Sequence, residues 1–380
     1  MQNIYYWSPC LEKVGTYWAT INSAIAFARY TKKYKIRIIN VCGEWDSQKE
    51  YLQHNNIELI NLGLSYFKYL PKSGYLLSRI SYFTILLISI FPLIKFFKKN
   101  NSDFLIIHLL TSLPLILNFF IKNKLKIVLR ISGYPNLNYF RLYLWKILSK
   151  KLFFITCPSK DLKFQLKKLK VFSKSNLFFL PDPIVYTKKF VKKFSKITDI
   201  SNIPSGEYFI SVGRLTKQKN FTYLIKEFNK FLSKKNDVNL LIFGEGEQKN
   251  ILKNLIAKFK LEKRIFLMGY SENIYYFMRN AKGFILSSLW EDPGFVLIEA
   301  GMCNLAIISS NCKNGPSEFL QDGKGGMLFE SNKKNALSNS LENFKNDQDI
   351  FKKKIIAKKN CLKYTLFRHY REFDKILSYN

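Results

Sequence analysis

Short apolar runs of strand length alternate with longer stretches of helical period along most of the chain. Runs at Asn3–Trp7, Lys35–Val41, Ile57–Ile60, Phe104–Ile107, Lys126–Arg130, Leu152–Thr156 and Leu177–Leu180 read as strands. Helical patterns fall between them, at Tyr17–Tyr30, roughly 75–99, Leu113–Ile121, Tyr139–Ser149 and Lys160–Leu169. Strands separated by helices of this length predict a parallel sheet covered on both faces. From Pro181 to Gly206 the periodicity is lost in a stretch rich in Pro, Ser and Lys, as a linker requires. Alternation restarts at Tyr208 with YFISVG and runs through Val238–Phe243, Ile265–Met268, Gly283–Ser288, Leu305–Ser309 and Met327–Phe329. The reading is α/β: an N-terminal unit 1–185, a linker 186–206, a second unit 207–350, and C-terminal helices 351–380 able to pack back on the first unit. Two such units in tandem place ligands at the carboxyl ends of their strands, where the glycine-bearing loops fall.

Composition agrees with two domains and adds a charge. With 380 residues and 47% apolar content, each half has enough for its own core. Against 61 Lys and Arg stand only 27 Asp and Glu, a net +34 that favours anionic partners: nucleotides, anionic lipids or nucleic acid. The chain has no arginine-rich arm, zinc-finger spacing or RNA-binding aromatic signature, which disfavours nucleic acid. Six scattered cysteines with no CxxC pair suit reduced thiols in a cytoplasmic protein. The apolar start MQNIYYWSPC lacks a basic leader, so no secretory signal is expected. The segment ISYFTILLISIFPLIKFF, 80–97, offers an apolar run of about fifteen residues, short of the roughly 20 that span a bilayer. A helix covering the sheet and an interfacial helix fit it equally, the latter supported by Arg79, Lys95, Lys98 and Lys99.

The chemistry concentrates in GFILSSLWEDPGFVLIEAGMCNLAIIS, Gly283–Ser309. Asp292 occupies an expected helix N-cap with Pro293 at the first helical position. Two carboxylates stand out, Glu291 in the loop and Glu299 inside the apolar VLIEAG, because carboxylates are rarely buried without a partner. Free backbone N–H groups at the start of such a helix make an anion site. An anionic ligand rich in hydroxyls and a plain surface loop with one satisfied Glu are both consistent with these residues. Elsewhere, Gly213-Arg214-Leu215 with Lys219 sets two cations at a strand-to-helix turn, suited to a diphosphate. Gly244-Glu245-Gly246 and Gly269 close two further strands.

In this order the segments SVGRLTKQKN, LIFGEGEQ, IFLMGY, SSLWEDPGFVLIEAG and NGPSEFLQDGKGGMLF, spanning roughly 208–330, resemble the retaining glycosyltransferases of the GT-B fold, glycosyltransferase family 4. WSPCLEKVGT and IIHLLTSLP in the first half are looser matches, and the flavour resembles enzymes of capsule or lipopolysaccharide synthesis. The resemblance implies two Rossmann-like domains facing across a cleft. It implies transfer of a sugar from a nucleotide sugar, UDP on family grounds, to a hydroxyl of a surface-polysaccharide or lipid-linked glycan, without a metal or cofactor. Arg214 and Lys219 would hold the diphosphate and stabilise the leaving group, and Glu299 would bind the ribose. Glu291 would contact the sugar, and the N–H groups of Gly294, Phe295 and Val296 the sugar or phosphate. Gly213 and Gly244 would belong to the donor-binding loops, and Gly269 with Tyr270 would border the base. Gly15 and Thr16 would approach the phosphates and His108 the reacting sugar. The site thus assigns Glu291, His108, Arg214 and Lys219 to catalysis and the remainder to the donor. The chain departs from the family pattern at the single Gly15, at ISGYP after Lys126–Arg130, and at Asp292-Pro293. A nucleotide-sugar epimerase or phosphorylase of this fold, and a silent nucleotide- or glycan-binding subunit, are the alternatives. Partners would be the donor, the glycan acceptor and an anionic membrane surface, at the inner face of the cytoplasmic membrane. His54 and His369, in polar stretches, read as solvated. So does Asp347-Gln348-Asp349, in a Lys-rich helical tail, and no residue cluster has metal-ligand spacing.

Overall fold

A computed structural model describes residues 1–13, 15–63, 65–71, 75–100, 103–122, 124–135, 138–172, 176–186, 204–234 and 237–378. Two compact units divide the chain, Met1–Ile184 with Leu366–Asn380, and Val185–Thr365. Most of the expected linker, 187–203, lies outside the described residues.

The first unit holds a seven-stranded sheet: β1 (Gln2–Trp7), β2 (Tyr34–Asn40), β3 (Ile57–Asn61), β4 (Phe104–Ile107), β5 (Lys126–Arg130), β6 (Phe154–Cys157) and β7 (Leu177–Phe179). Every pairing is parallel and the order is β3-β2-β1-β4-β5-β6-β7. Strands β4 and β6 are buried at all four positions, which explains their unbroken apolar runs. The direction of strand addition reverses between β1 and β4, so the loops after these two strands meet at a topological switch point.

The second unit repeats the plan with six parallel strands: β8 (Tyr208–Val212), β9 (Asn239–Phe243), β10 (Ile265–Gly269), β11 (Gly283–Leu286), β12 (Ile307–Ser310) and β13 (Met327–Phe329). Their order, β10-β9-β8-β11-β12-β13, puts the switch point between β8 and β11.

The C-terminal helices divide between the units. Ile350–Asn360 belongs to the second and packs on the helix Phe295–Met302, with Cys361 Sγ 3.3 Å from the Ile298 carbonyl. Leu366–Leu377 returns to the first and lies on the helix Gly15–Tyr30, Phe373 meeting Phe27 edge-on at 5.4 Å. His369 was expected to be solvated; it is instead 3% exposed on the inner face of this last helix. Its ring nitrogens sit 2.8 Å from the Pro181 carbonyl and 2.8 Å from Ser23 Oγ, so both are satisfied inside the core. Burial lowers its pKa to about 3, leaving the ring neutral. His54 is exposed, as expected. Asp349 is exposed as well, whereas Asp347 is half-buried against Lys353.

The apolar segment of the first unit is one helix, Tyr75–Lys99, 25 residues long with Pro92 inside it. Its span is the expected one, roughly 75–99, but Leu76–Lys99 has mean hydropathy 2.0 and is long and apolar enough to cross a membrane by composition, beyond the apolar run of about fifteen residues. Ile85, Leu93 and Phe97 are each fully buried in the core of the first unit, so one face of the helix is committed to the sheet.

A candidate nucleotide-sugar site

The loops at the carboxyl ends of β8, β9 and β10 are laced together by their backbones. Gly213 N–H donates to the Phe243 carbonyl at 2.9 Å, Leu215 N–H to Glu245 at 2.9 Å, and Gly244 N–H to Gly269 at 2.8 Å. Gly244 is required for this. Its φ is +140°, and a Cβ there would lie 1.9 Å from the Gly213 carbonyl oxygen.

Lys219 was expected at a helix start. It closes a 3₁₀ turn, Lys217–Lys219, and left-handed Asn220 (φ 53°) then heads the helix Phe221–Leu232. The turn is fixed to the loop after β11 from both sides. Leu289 N–H donates to the Gln218 carbonyl at 2.8 Å, Gln218 Nε2 to Trp290 at 2.9 Å, and Ser287 Oγ to Lys219 at 2.8 Å. The stem of Lys219 passes over Gly213, where a Cβ would come within 3.0 Å of its Cε. This path brings Lys219 Nζ to 2.5 Å from Glu291 Oε1, with side chains 14% and 5% exposed. Ser288 Oγ donates to the same oxygen. An ammonium has three donors. Glu291 takes one, and among the described residues the ammonium makes no other hydrogen bond. Arg214 stands exposed in the same loop and makes no ion pair among the described residues.

Asp292 and Pro293 do not begin the helix. Gly294, at φ +90°, is the N-cap of Phe295–Met302. A proline after an acidic residue mimics a helix start, but the following glycine turns the chain first. The Asp292 carboxyl accepts from Asn314 Nδ2 at 3.1 Å. Gly315 explains how that loop approaches: a Cβ there would lie 2.1 Å from the Pro293 carbonyl oxygen. Phe295 and Val296, half-buried, occupy the first turn, whose N–H groups have no intrahelical acceptor. Glu299 lies one turn on, half-buried, and accepts from the Tyr275 hydroxyl at 2.8 Å. Burial and the Glu299 charge raise the Tyr275 pKa well above its usual value, so the phenol stays a donor. Gly269 ends β10 and Tyr270 beside it is 77% exposed.

Burial raises the Asp292 pKa to about 7; the Glu291 charge adds to this and the Asn314 hydrogen bond opposes it. The folded state therefore keeps a proton that the unfolded chain loses near pH 4, and stability from this group falls as pH rises from about 4 to 7. Asp292→Asn should accordingly gain roughly 2–3 kcal/mol relative to the native chain between pH 5 and 7. Chemical denaturation of both proteins at the two pH values measures it; a difference independent of pH would contradict the assignment.

In the first unit, Gly15 (exposed) and Thr16 (half-buried) head the helix Gly15–Tyr30 after β1, and His108 follows β4, so all three are at that unit's switch point. His108 N–H donates to the Trp7 carbonyl at 3.0 Å. The residue is 8% exposed and its Nδ1 has no hydrogen-bond partner among the described residues. Burial, then the charge of Arg130, lowers its pKa to about 3, so it is neutral at physiological pH. Arg130 itself is buried against Asp182 and donates to the Leu180 carbonyl at 2.9 Å. A cleft of about 610 Å³ opens beside the same loops, its wall including Cys10, Lys13, Tyr17, Glu44 and Lys68. Among the described residues, no three His, Cys, Asp or Glu side chains are grouped to hold a metal ion.

In the second unit, then, Gly213, Lys219, Gly244, Glu291 and Gly294 converge at one switch point. Gly15, Thr16 and His108 occupy the corresponding place in the first. Sequence reasoning missed the bracing set: Ser287, Ser288, Asn314, Gly315 and Tyr275. Only Gly315, in an NGP turn, carried a signal.

Two parallel α/β units, each with glycine-bearing loops at its switch point, define the GT-B fold. Over its full length the chain superposes on HepE from Anabaena, solved with UDP and glucose, with a TM-score of 0.73 and 14% identity over 100% of both chains. A TarM variant of S. aureus, solved with UDP among its ligands, gives 0.74 and 16%, again over 100% of both chains. Residues 194–360 match the model of the glycosyl transferases group 1 family. An uncharacterized glycosyltransferase of Methanocaldococcus jannaschii is 38% identical over 140 residues, 34% of each chain. The N-acetylgalactosamine-N,N'-diacetylbacillosaminyl-diphospho-undecaprenol 4-alpha-N-acetylgalactosaminyltransferase of Campylobacter jejuni is 28% identical over 263 residues, 67% of each. The chain thus spans about a third of the first relative's length and two thirds of the second's.

Proposed function

We propose that the protein is a retaining hexosyltransferase that moves a sugar from a nucleotide sugar, UDP-linked, to a hydroxyl of a lipid-linked or surface-polysaccharide glycan on the cytoplasmic side of the membrane, as in capsule or lipopolysaccharide assembly. The observation that carries this reading is the Lys219–Glu291 pair, buried at the β8/β11 switch point beside the N-terminus of Phe295–Met302. A diphosphate fits there because Lys219 supplies a fixed charge, Arg214 a second, and the helix start its N–H groups. Glu299 binds the ribose, Glu291 a hydroxyl of the sugar, and Gly269 with Tyr270 borders the base. Departure of the nucleoside diphosphate leaves negative charge on its terminal phosphate, and preorganised cations lower the barrier by stabilising that charge without a metal. In the first unit, Gly15 and Thr16 serve the phosphates, neutral His108 borders the reacting sugar, and the 610 Å³ cleft takes the acceptor. Two matched relatives whose names specify diphosphoundecaprenol-linked acceptors support the acceptor class. The test is incubation with UDP-sugars and a diphosphoundecaprenol-linked glycan, with product mass and anomeric configuration read by mass spectrometry and NMR. The expected product keeps the donor's anomeric configuration. Inverted product would refute retention, and nucleotide binding without product would favour a silent subunit.

A further inference from the structure

Strand β3 is an edge strand, paired with β2 alone. A cavity of about 800 Å³ lies against it, bounded by β3 itself, by the helix Lys49–His54 and by the loops after β2 and β3. Among the residues lining it, Gln53, Asn56 and Asn61 carry amides, Asp46 and Glu58 carboxylates, and Lys49 a positive charge. Glu58 is paired with Arg37 at 2.7 Å. In a chain with 61 Lys and Arg against 27 Asp and Glu, this wall is not cationic. A phosphate finds little to hold it there. Vicinal hydroxyls do, because each amide offers two donors and an acceptor side by side, and each carboxylate accepts. The cavity abuts the 610 Å³ cleft, since Asp46 and Ser65 line both. The partition between them is braced: Asp46 accepts from Asn40 Nδ2 at 2.7 Å and from Ser65 Oγ at 3.1 Å. Phe67 N–H, donating to the Cys42 carbonyl at 2.8 Å, fixes the loop beyond Ser65. Tyr66 and Tyr69 in that loop are 47% and 73% exposed, flat faces against which the C–H side of a sugar ring packs.

We propose that the cavity along β3 is a subsite for the neutral sugars that follow the reacting one in the acceptor glycan, whose reacting end lies in the 610 Å³ cleft. The proposal rests on the transferase reading and deepens it: the acceptor is an oligosaccharide, and the cavity selects for its length. Strand β3 extends about 16 Å over its five residues, enough for several linked sugars. The diphosphate of a lipid-linked acceptor then lies beyond the cavity. On a one-sugar acceptor the diphosphate would follow the reacting sugar directly and meet Asp46 and Glu58, so the short acceptor is penalised as well as deprived of contacts. A strand of another chain is a poorer occupant of this edge. A five-residue strand with exposed Glu58 and Asn61 has the features that keep edge strands unpaired.

The experiment compares diphosphoundecaprenol carrying one, two, three or four N-acetylhexosamine units as acceptors for the full chain and two variants. Isothermal titration of the matching free oligosaccharides and analytical ultracentrifugation accompany it. In the native chain kcat/KM should rise about tenfold or more from one sugar to four, mostly through KM. Gln53→Trp, which places an indole in the cavity, should remove most of that gain and weaken binding of the free four-sugar chain about tenfold. Gln53→Lys with Glu58→Gln makes the wall cationic. It should improve the one-sugar acceptor and worsen the four-sugar one, a crossover that general damage does not produce. Gln53 and Glu58 are exposed, so thermal midpoints should hold. Equal kcat/KM at every length, or equal losses at every length in Gln53→Trp, would overturn the subsite. Transfer to none of the acceptors would count against the transferase reading instead, and the titrations then decide. Oligosaccharide binding lost in Gln53→Trp supports the subsite, and no binding by the native chain overturns it. Self-association lost in Gln53→Trp, without oligosaccharide binding, would overturn it in favour of a second copy.

Discussion

Lys219→Ala is expected to lower kcat by about 10²–10³-fold, the cost of removing one preorganised charge from a developing anion. The side chain is held in place before any ligand arrives. Its stem crosses Gly213 at van der Waals distance, its own carbonyl is gripped by Ser287, and its ammonium rests 2.5 Å from Glu291. A group positioned this way loses little by reorganising, so its charge acts mainly on the transition state and kcat should fall more than KM rises. Lys219→Arg should restore only part of the rate, because a planar guanidinium cannot follow the path over Gly213 and still meet Glu291 end-on. Steady-state kinetics on native and variant chains, with folding checked by thermal melts, measure both effects. Unaltered kcat in Lys219→Ala would remove the diphosphate from this loop.

Glu299→Ala should weaken UDP binding by about 10–100-fold, the range for hydrogen bonds to a charged acceptor. Binding of inorganic pyrophosphate, which lacks a ribose, should be unchanged. That contrast separates a ribose contact from general damage to the helix Phe295–Met302. Tyr275→Phe should cost only a few-fold, because the phenol steers the carboxylate and does not touch ligand. Isothermal titration of UDP and pyrophosphate into the three proteins is the measurement. Equal losses for both ligands would make Glu299 a structural residue.

The alternation of strands and helices was legible because parallel strands buried on both faces leave unbroken apolar runs, as at Phe104–Ile107. The loops of the second unit were legible for a related reason: glycine stands where the chain needs it, at Gly244 against the Gly213 backbone, at Gly294 with φ +90°, and at Gly213 under the Lys219 stem. His369 was misread because its neighbours Arg368 and Arg371 are polar. The i, i+3, i+7 set of Leu366, His369 and Phe373 places it on the buried stripe, a signal that neighbour polarity hides. Asp292 failed differently. Its local sequence favours a helix cap, and only the approach of Asn314 and Gly315, over twenty residues later, shows where its carboxyl goes. The Tyr75–Lys99 helix was legible over its full span, because Pro92 and Lys95 interrupt the apolar run without ending the helical period. Tyr275 could not have been assigned to Glu299 from sequence, since nothing in ENIYYFM distinguishes it from its neighbour Tyr276.

The central claim is that loops 213–219, 244–246, 269–270 and 291–299 form a site for a nucleotide sugar. The most direct measurement is the thermal midpoint of the full chain against a panel of UDP-, GDP-, ADP- and CMP-sugars. Ligand at about 100 times its Kd adds roughly 2.7 kcal/mol to the folded state. A UDP-sugar should therefore raise the midpoint of the native chain by several degrees, and by much less in Lys219→Ala and Glu299→Ala. A panel in which no nucleotide sugar moves the midpoint, or one in which both variants respond as the native chain does, would contradict it.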